Sequence, residues 1–347
     1  MRKTAVMKDN LFMEHDPGHQ HVECPERLRV IYEQLDKPEM RADFLFPGFP
    51  TATREELRLN HSEAHIDRVA ATAGKTFDLL DADTTTSPRS YDAACLAAGA
   101  VVEGVRLLVA GEIDNCFALV RPPGHHAEAT HGKGFCLFNN VAIGARYAID
   151  KINVKKVLIV DWDLHHGNGT QNSFYDTDKV LYFSTHQYPF YPGSGAATEQ
   201  GKGAGQGFTV NVPLPGGQGD EAFARIFNEL LLPVARQYQP EMIMVSAGFD
   251  IYRGDPLGTM GVTVDGFAYM TRVLLDLADE VCRGRLILTL EGGYNVPGQR
   301  DSVLAVLAEL TGREFLKKEA FARLSGASVP LPSLDHAQKI AKKFWKL

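Results

Sequence analysis

Asp161-Trp162-Asp163-Leu164-His165-His166 follows directly on the apolar run Val157–Val160. Two carboxylates and two imidazoles therefore stand where a buried strand would end. Unpaired polar groups are costly where water is scarce, and a metal ion that takes anionic oxygen and imidazole nitrogen together offsets that cost. Alternate side chains of an extended segment point the same way, so Asp161, Asp163 and His165 are expected on one side and Leu164 on the other. Asp163 and His165 can then share one ion, with Asp250 supplied by a different strand. Two carboxylates and one imidazole leave a coordination position open for water, as a catalytic site requires. His125-His126 follows Pro122-Pro123-Gly124, a turn that fixes backbone direction. Adjacent imidazoles near a cation can transfer protons or act as further ligands. Asp161 and Asn168 are their candidate partners. A carboxylate raises a histidine's pKa and an amide does so far less, so the pair is expected to be unequal, one a base and one an electrostatic stabiliser. Tyr294, between Gly293 and Asn295, offers a phenol that can donate to a carbonyl oxygen as it becomes negative.

Five short apolar runs must position these groups: Cys116–Val120, Val157–Val160, Val180–Phe183, Met242–Val245 and Leu286–Leu290. Between them lie helix-period stretches such as Ala93–Ala110, Val141–Asp150, Glu221–Gln237 and Gly266–Val281. Strands alternating with helices predict a mostly parallel sheet covered on both faces, with ligands bound beyond the carboxyl ends of the strands. All five runs lead into polar or titratable residues beside Gly or Pro, which points to one shared rim. The Gly-rich stretch 193–207 fails as a phosphate loop, because five residues separate Gly195 from Gly201 and Gly203 follows Lys202. It reads as a flexible or substrate-lining loop. Ser325–Leu334 reads as a connector to a basic helix, Ala337–Leu347, whose Ile340, Phe344 and Leu347 would dock it on the domain.

A net charge of -7 gives no basic surface for nucleic acid or anionic lipid. The five cysteines, 24, 95, 116, 136 and 282, are widely spaced and form no C-x-x-C, which fits reduced thiols. No signal-like apolar stretch opens the chain and no continuous apolar run reaches membrane length. These features predict a soluble, cytoplasmic protein with no nucleic-acid or membrane partner. They leave room for a homo-oligomer.

RPPGHHAE (121–128), GFCLFNNVAIGA (134–145), VDWDLHHGNGTQ (160–171), SAGFD (246–250), GDPLG (254–258) and LEGGYN (290–295) resemble the zinc-dependent histone deacetylase family. That family also holds acetoin-utilisation proteins and acetylpolyamine amidohydrolases. The LHHGNGTQ and LEGGYN forms resemble class II enzymes, including their bacterial relatives, more than class I. The resemblance implies one arginase/deacetylase-like α/β domain over residues 1–347, its core at about 10–315 and a connector and helix over 318–347. An eight-stranded parallel sheet and long loops around a narrow tunnel are expected. It implies a zinc site at Asp163, His165 and Asp250, and His126 as general base. His125 would be held by Asp161, and Asn168 would stand beside His126. Tyr294 becomes the carbonyl-polarising phenol. Phe135 and Tyr191 become opposing tunnel walls, with Gly134, Gly292 and Leu257 also lining it. A structural potassium ion would use Asp161, Asp163, His165, Ser184 and Thr185.

The implied activity is removal of acetyl or other acyl groups from lysine side chains in proteins or peptides. Polyamine-selective relatives carry a Glu near the tunnel mouth where this chain has Leu257, so acetylpolyamines and other small acylated amines form the alternative. Asp81 or Asp83 could grip a substrate backbone amide. A two-metal ureohydrolase would need further bridging carboxylates after the fourth strand, and Ser246–Asp250 supplies one. A silent acyl-lysine binder would not need the filled catalytic positions.

Overall fold

The computed structural model describes all 347 residues. Seven parallel strands form the central sheet: β1 (Thr4–Met7), β4 (Asn115–Ala118), β5 (Val157–Asp161), β6 (Val180–Gln187), β7 (Thr209–Leu214), β8 (Met242–Ala247) and β9 (Leu286–Leu290). Two more, β2 (Asp78–Asp81) and β3 (Thr84–Thr86), make a separate antiparallel hairpin. The sheet order is β1-β4-β9-β8-β5-β6-β7, so β5 lies at its centre. Its register aligns Asp161 with Ser184 on one side and Ser246 on the other, and Ser246 with Thr289. Every core residue of β5 is fully buried, as expected of a parallel strand covered on both faces.

The expected eight-stranded sheet is corrected to seven. Beyond β1 the chain pairs at one residue, where Leu45 bridges Ala5 through Val6 N–H to Leu45 O (2.8 Å) and Leu45 N–H to Thr4 O (2.9 Å). Pro47 and Pro50 follow closely, and proline has no N–H to extend a ladder. The two edge strands β1 and β7 were missed from the sequence, being short or flanked by Gly and Pro. The first of the five runs also begins one residue early, at Asn115.

Helices Ser90–Ala110 and Asn140–Asp150 pack together on one side of the sheet, Val264–Cys282 and Val296–Leu310 on the other. Ser90–Ala110 is long and apolar enough on average to cross a membrane, although Glu103 and Arg106 interrupt its apolar run, and 78% of its apolar window is buried within the protein. The stretch 221–237 is helical throughout, with a π turn at Phe227–Leu231 between Asp220–Ile226 and Leu232–Tyr238. The C-terminal expectation is also corrected. Lys318–Ser325 is helical, and the last helix is Pro332–Ala341 rather than Ala337–Leu347. It covers the β7 edge with buried Leu334, Ala337, Ile340 and Ala341, while Leu347 is exposed. Trp345 Nε1 donates to Gly207 O at 3.0 Å and ties down the end.

Candidate active site

Asp163, His165 and Asp250 are buried together, with a ligating atom from each within 4.8 Å of the others. His165 Nδ1 lies 3.2 Å from Asp163 Oδ1 and 3.1 Å from Asp250 Oδ2. Backbone donors aim the carboxylates. Gly292 N–H reaches Asp163 Oδ2 at 2.9 Å, and Leu164 N–H reaches Asp250 Oδ1 at 2.8 Å. β5 ends at Asp161, so strand alternation does not carry on to 163 and 165. Asp161 turns away from the cluster, and its Oδ2 meets His125 Nδ1 at 3.2 Å and accepts from Tyr182 Oη at 2.9 Å.

Two fully buried carboxylates side by side require a positive charge between them. Burial opposes charge on His165, but its bonds to Asp163 and Asp250 prevail and raise it to about 9. Burial and the neighbouring Asp163 push Asp250 up to about 7. The protein thus draws in a proton where a divalent cation would serve, and two oxygens with one nitrogen suit zinc. Gly292 is required by space. A Cβ there would lie 2.3 Å from Asp250 Oδ2 and 2.7 Å from Asp163 Oδ2. Gly292→Ala should weaken the hold of these residues on an added divalent cation by about 10–100-fold, the loss usual when ligand orientation is disturbed, as read by competition with a chromogenic chelator.

The tandem histidines are unequal. Their rings lie 4.0 Å apart between centroids. Burial works against a charged His125, but Asp163 and Asp161 overcome it and raise it to about 10. Burial holds His126 well below its ordinary value, and His125 and His165 reinforce this. His126 Nδ1 lies 2.8 Å from Asn168 Oδ1, a neutral acceptor that cannot offset these effects. The two histidines are thus shifted in opposite directions, His125 towards its charged form and His126 towards its neutral one.

Tyr294 lines the same cavity, and its hydroxyl makes no hydrogen bond within the protein. Asp255 Oδ2 accepts from both Tyr294 N–H (2.6 Å) and Asn295 N–H (3.0 Å), and the Arg27 guanidinium lies 5.0 Å above the ring. Burial raises the phenol well above its ordinary value, which keeps it a donor.

The cavity holds about 250 Å³. Phe135 and Leu257 form part of its wall, and Phe135 meets Tyr294 edge-on at 6.0 Å. Phe135 adopts φ 68°, with its N–H bonded to Thr84 Oγ1 and that of Gly134 to Asp83 Oδ1. Such a conformation costs energy and is held here by the hairpin turn. Tyr191 stands edge-on to His126 at 5.1 Å, and Phe190 stacks on His165 at 5.7 Å. Of the two loop acids, Asp83 lines the cavity and Asp81 does not. Gly193–Gly207 lies outside the lining. Gly195 is instead wedged behind it, where a Cβ would fall 2.4 Å from His186 Nε2. Ser184 Oγ is bonded to His186 Nδ1 at 2.9 Å, and Thr185 Oγ1 is buried without a partner.

Several supporting residues carried no distinct signal in the sequence. Glu291 accepts from Gly124 N–H (2.6 Å), His125 N–H (3.1 Å) and Ser246 Oγ (3.0 Å), and burial pushes it up to about 7. Arg27 donates to the carbonyls of Gly293 and Glu291, both at 2.6 Å, and to Glu23 at 2.7 Å. Glu23 also binds Arg121. Asp255 and Glu291 lie within the GDPLG and LEGGYN motifs and Glu23 and Phe190 in none, but a motif does not reveal which neighbour supports which backbone.

Residues 21–310 match the histone deacetylase domain. The chain is 34% identical over 357 residues to a probable deacetylase of Archaeoglobus fulgidus, a match covering 99% of both. It is 42% identical to histone deacetylase 15 of Arabidopsis thaliana over 89% of this chain and 57% of that protein. It is 38% identical to histone deacetylase clr3 of Schizosaccharomyces pombe over 94% and 50%, respectively. The chain thus spans about half the length of these plant and fungal relatives. The crystal structure of the HDA15 HD domain is similar with a TM-score of 0.90 and 38% identity, over 99% of this chain and 95% of that one. With sequence and backbone both matched over most of its length, the chain belongs to the histone deacetylase family.

Proposed function

We propose that the protein is a zinc-dependent deacylase that hydrolyses the side-chain amide of acyl-lysine in proteins or peptides. The observation that carries this reading is one cavity lined by His126, Tyr294 and His165, with the carboxylates of Asp163 and Asp250 bonded to His165 directly behind it. A zinc ion held by those three residues would polarise the amide carbonyl and acidify a bound water.

The remaining work falls to the chain. An acyl-lysine side chain lies between Phe135 on one side and Phe190 and Tyr191 on the other. His126, neutral and unpartnered at Nε2, takes a proton from the attacking water. The carbonyl carbon gains the water oxygen, and the carbonyl oxygen becomes negative and accepts from Tyr294 Oη. His125, positively charged beside Asp161, steadies that negative charge. The C–N bond breaks as the leaving amine receives a proton from the histidine pair, giving free lysine and a carboxylate. Asp83, at the mouth, accepts from a substrate backbone N–H. The same reading gives a structural potassium ion to Asp161, Asp163, His165, Ser184 and Thr185, a reading supported by the β5–β6 register that sets Asp161 beside Ser184. The unpaired cysteines favour a reducing, cytoplasmic setting.

Hydrolysis of a fluorogenic acetyl-lysine peptide, abolished by chelation and restored by zinc, tests this reading. Binding without turnover would make the protein an acyl-lysine reader instead. Leu257 is apolar, so the mouth offers no carboxylate there to a distant cationic amine. Leu257→Glu should raise kcat/KM for an acetylated polyamine about fivefold, the effect of about 1 kcal/mol of screened attraction, and leave a neutral acetyl-lysine peptide within twofold.

A further inference from the structure

Asn168 is the only partner of His126 Nδ1, and an asparagine amide is symmetric in shape but not in chemistry. With Oδ1 towards the ring, His126 carries its proton on Nδ1 and keeps the Nε2 lone pair for the cavity. With the amide reversed, Nδ2 donates to Nδ1, the proton moves to Nε2, and the base is lost. Something must decide between the two. Asn168 Nδ2 donates to Glu128 Oε1 at 2.6 Å, and its other contact, to His126 O, is long at 3.4 Å. An ionised carboxylate only accepts, so it selects the orientation that turns Nδ2 towards it.

Glu128 is itself held. Asn172 Nδ2 lies 3.0 Å from each of its oxygens, its N–H donates to His131 O at 2.9 Å, and its carbonyl meets His61 Nδ1 at 2.9 Å. It lines no part of the cavity. Resting on the proposed role of His126 as base, we propose that Glu128 is a positioning residue that locks the Asn168 amide and thereby sets the tautomer of His126.

The test uses Glu128→Gln, which keeps shape and removes charge. Its amide presents a donor as well as an acceptor, so both Asn168 orientations become available. Expected on an acetyl-lysine peptide is about a tenfold fall in kcat with KM within twofold, typical of losing a group that orients a catalytic one. Glu128→Asp, still only an acceptor, should recover part of it. The decisive comparison is made in an Asn168→Asp background. A carboxylate beside His126 has no wrong orientation, so adding Glu128→Gln there should cost nothing, and relief of repulsion from Glu128 should help. An equal loss in both backgrounds would show Glu128 to be merely structural and overturn the proposal.

A readout independent of turnover separates this claim from the functional reading. In histidine-labelled protein, the ¹⁵N shifts of His126, assigned by their loss in His126→Ala, should report Nδ1–H in the wild type and a mixture in Glu128→Gln. An unchanged Nδ1–H signature in Glu128→Gln would overturn the proposal even if the wild type proves inactive on every acyl-lysine.

Discussion

Tyr294→Phe should lower kcat on an acetyl-lysine peptide by about 10²–10³-fold, the loss typical of one oxyanion donor, while zinc content stays at its wild-type level. The substitution removes one oxygen and nothing that holds the ring. Asp255 grips the backbone of residues 294 and 295, Phe135 packs on the ring edge, and Arg27 lies over its face. The hydroxyl has no partner in the protein, so its removal leaves no buried group stranded and should change the thermal midpoint little. A kcat within threefold of wild type would remove Tyr294 from the chemistry. Asp255→Asn should move in the same direction by a different route, because it weakens the two backbone bonds that set the ring. There KM should change along with kcat.

Asp250→Asn should lower turnover by on the order of 10³-fold or more, because it removes an anionic ligand together with the charge that draws a cation into the site. Metal content after dialysis should fall with it, which distinguishes this loss from that of Tyr294→Phe. The acid–base behaviour of the site gives a second check on the wild type. In the metal-free protein His165 is raised to about 9 by its bonds to the two carboxylates, against the opposing effect of burial. It must lose that proton to ligate, so zinc binding at pH 8 should release about one proton. Between about pH 9 and pH 7 the affinity should fall about tenfold per unit as pH is lowered, since the proton and the ion compete for one nitrogen. It should fall more steeply once Asp250, raised to about 7, also takes a proton. Calorimetry in buffers of different ionisation enthalpy measures the release directly. Zinc uptake with no proton released would place the ion elsewhere.

Much of the site was legible because its chemistry is concentrated in short segments at strand ends. Asp161, Asp163 and His165 fall within five residues, His125 and His126 are adjacent, and Asp250 and Tyr294 each follow an apolar run. A parallel sheet brings such ends to one edge, so the order of apolar runs was enough to gather them. Local geometry was less legible. Alternation along β5 suggested that Asp161 would share the direction of Asp163 and His165. The strand stops at Asp161, and that carboxylate serves His125 and Tyr182 instead. The sheet was also narrower than the family resemblance implied, since prolines after Leu45 reduce the outer strand to a single bridge.

The chain's own pattern of apolar runs and polar strand ends determined the fold class, the candidate metal-ligand set and the paired histidines. These are properties of residue type and spacing along one segment, where covalent connection does the positioning. Tertiary structure alone decided which acids stand behind them: Glu291 under His125, Asp255 under Tyr294, Glu128 behind Asn168, and Asp83 rather than Asp81 at the mouth. It also decided that His125 is shifted towards its charged form and His126 towards its neutral one. Both outcomes depend on burial and on distances of about 3 Å between groups as much as 166 residues apart, quantities set by packing and absent from any single stretch of chain.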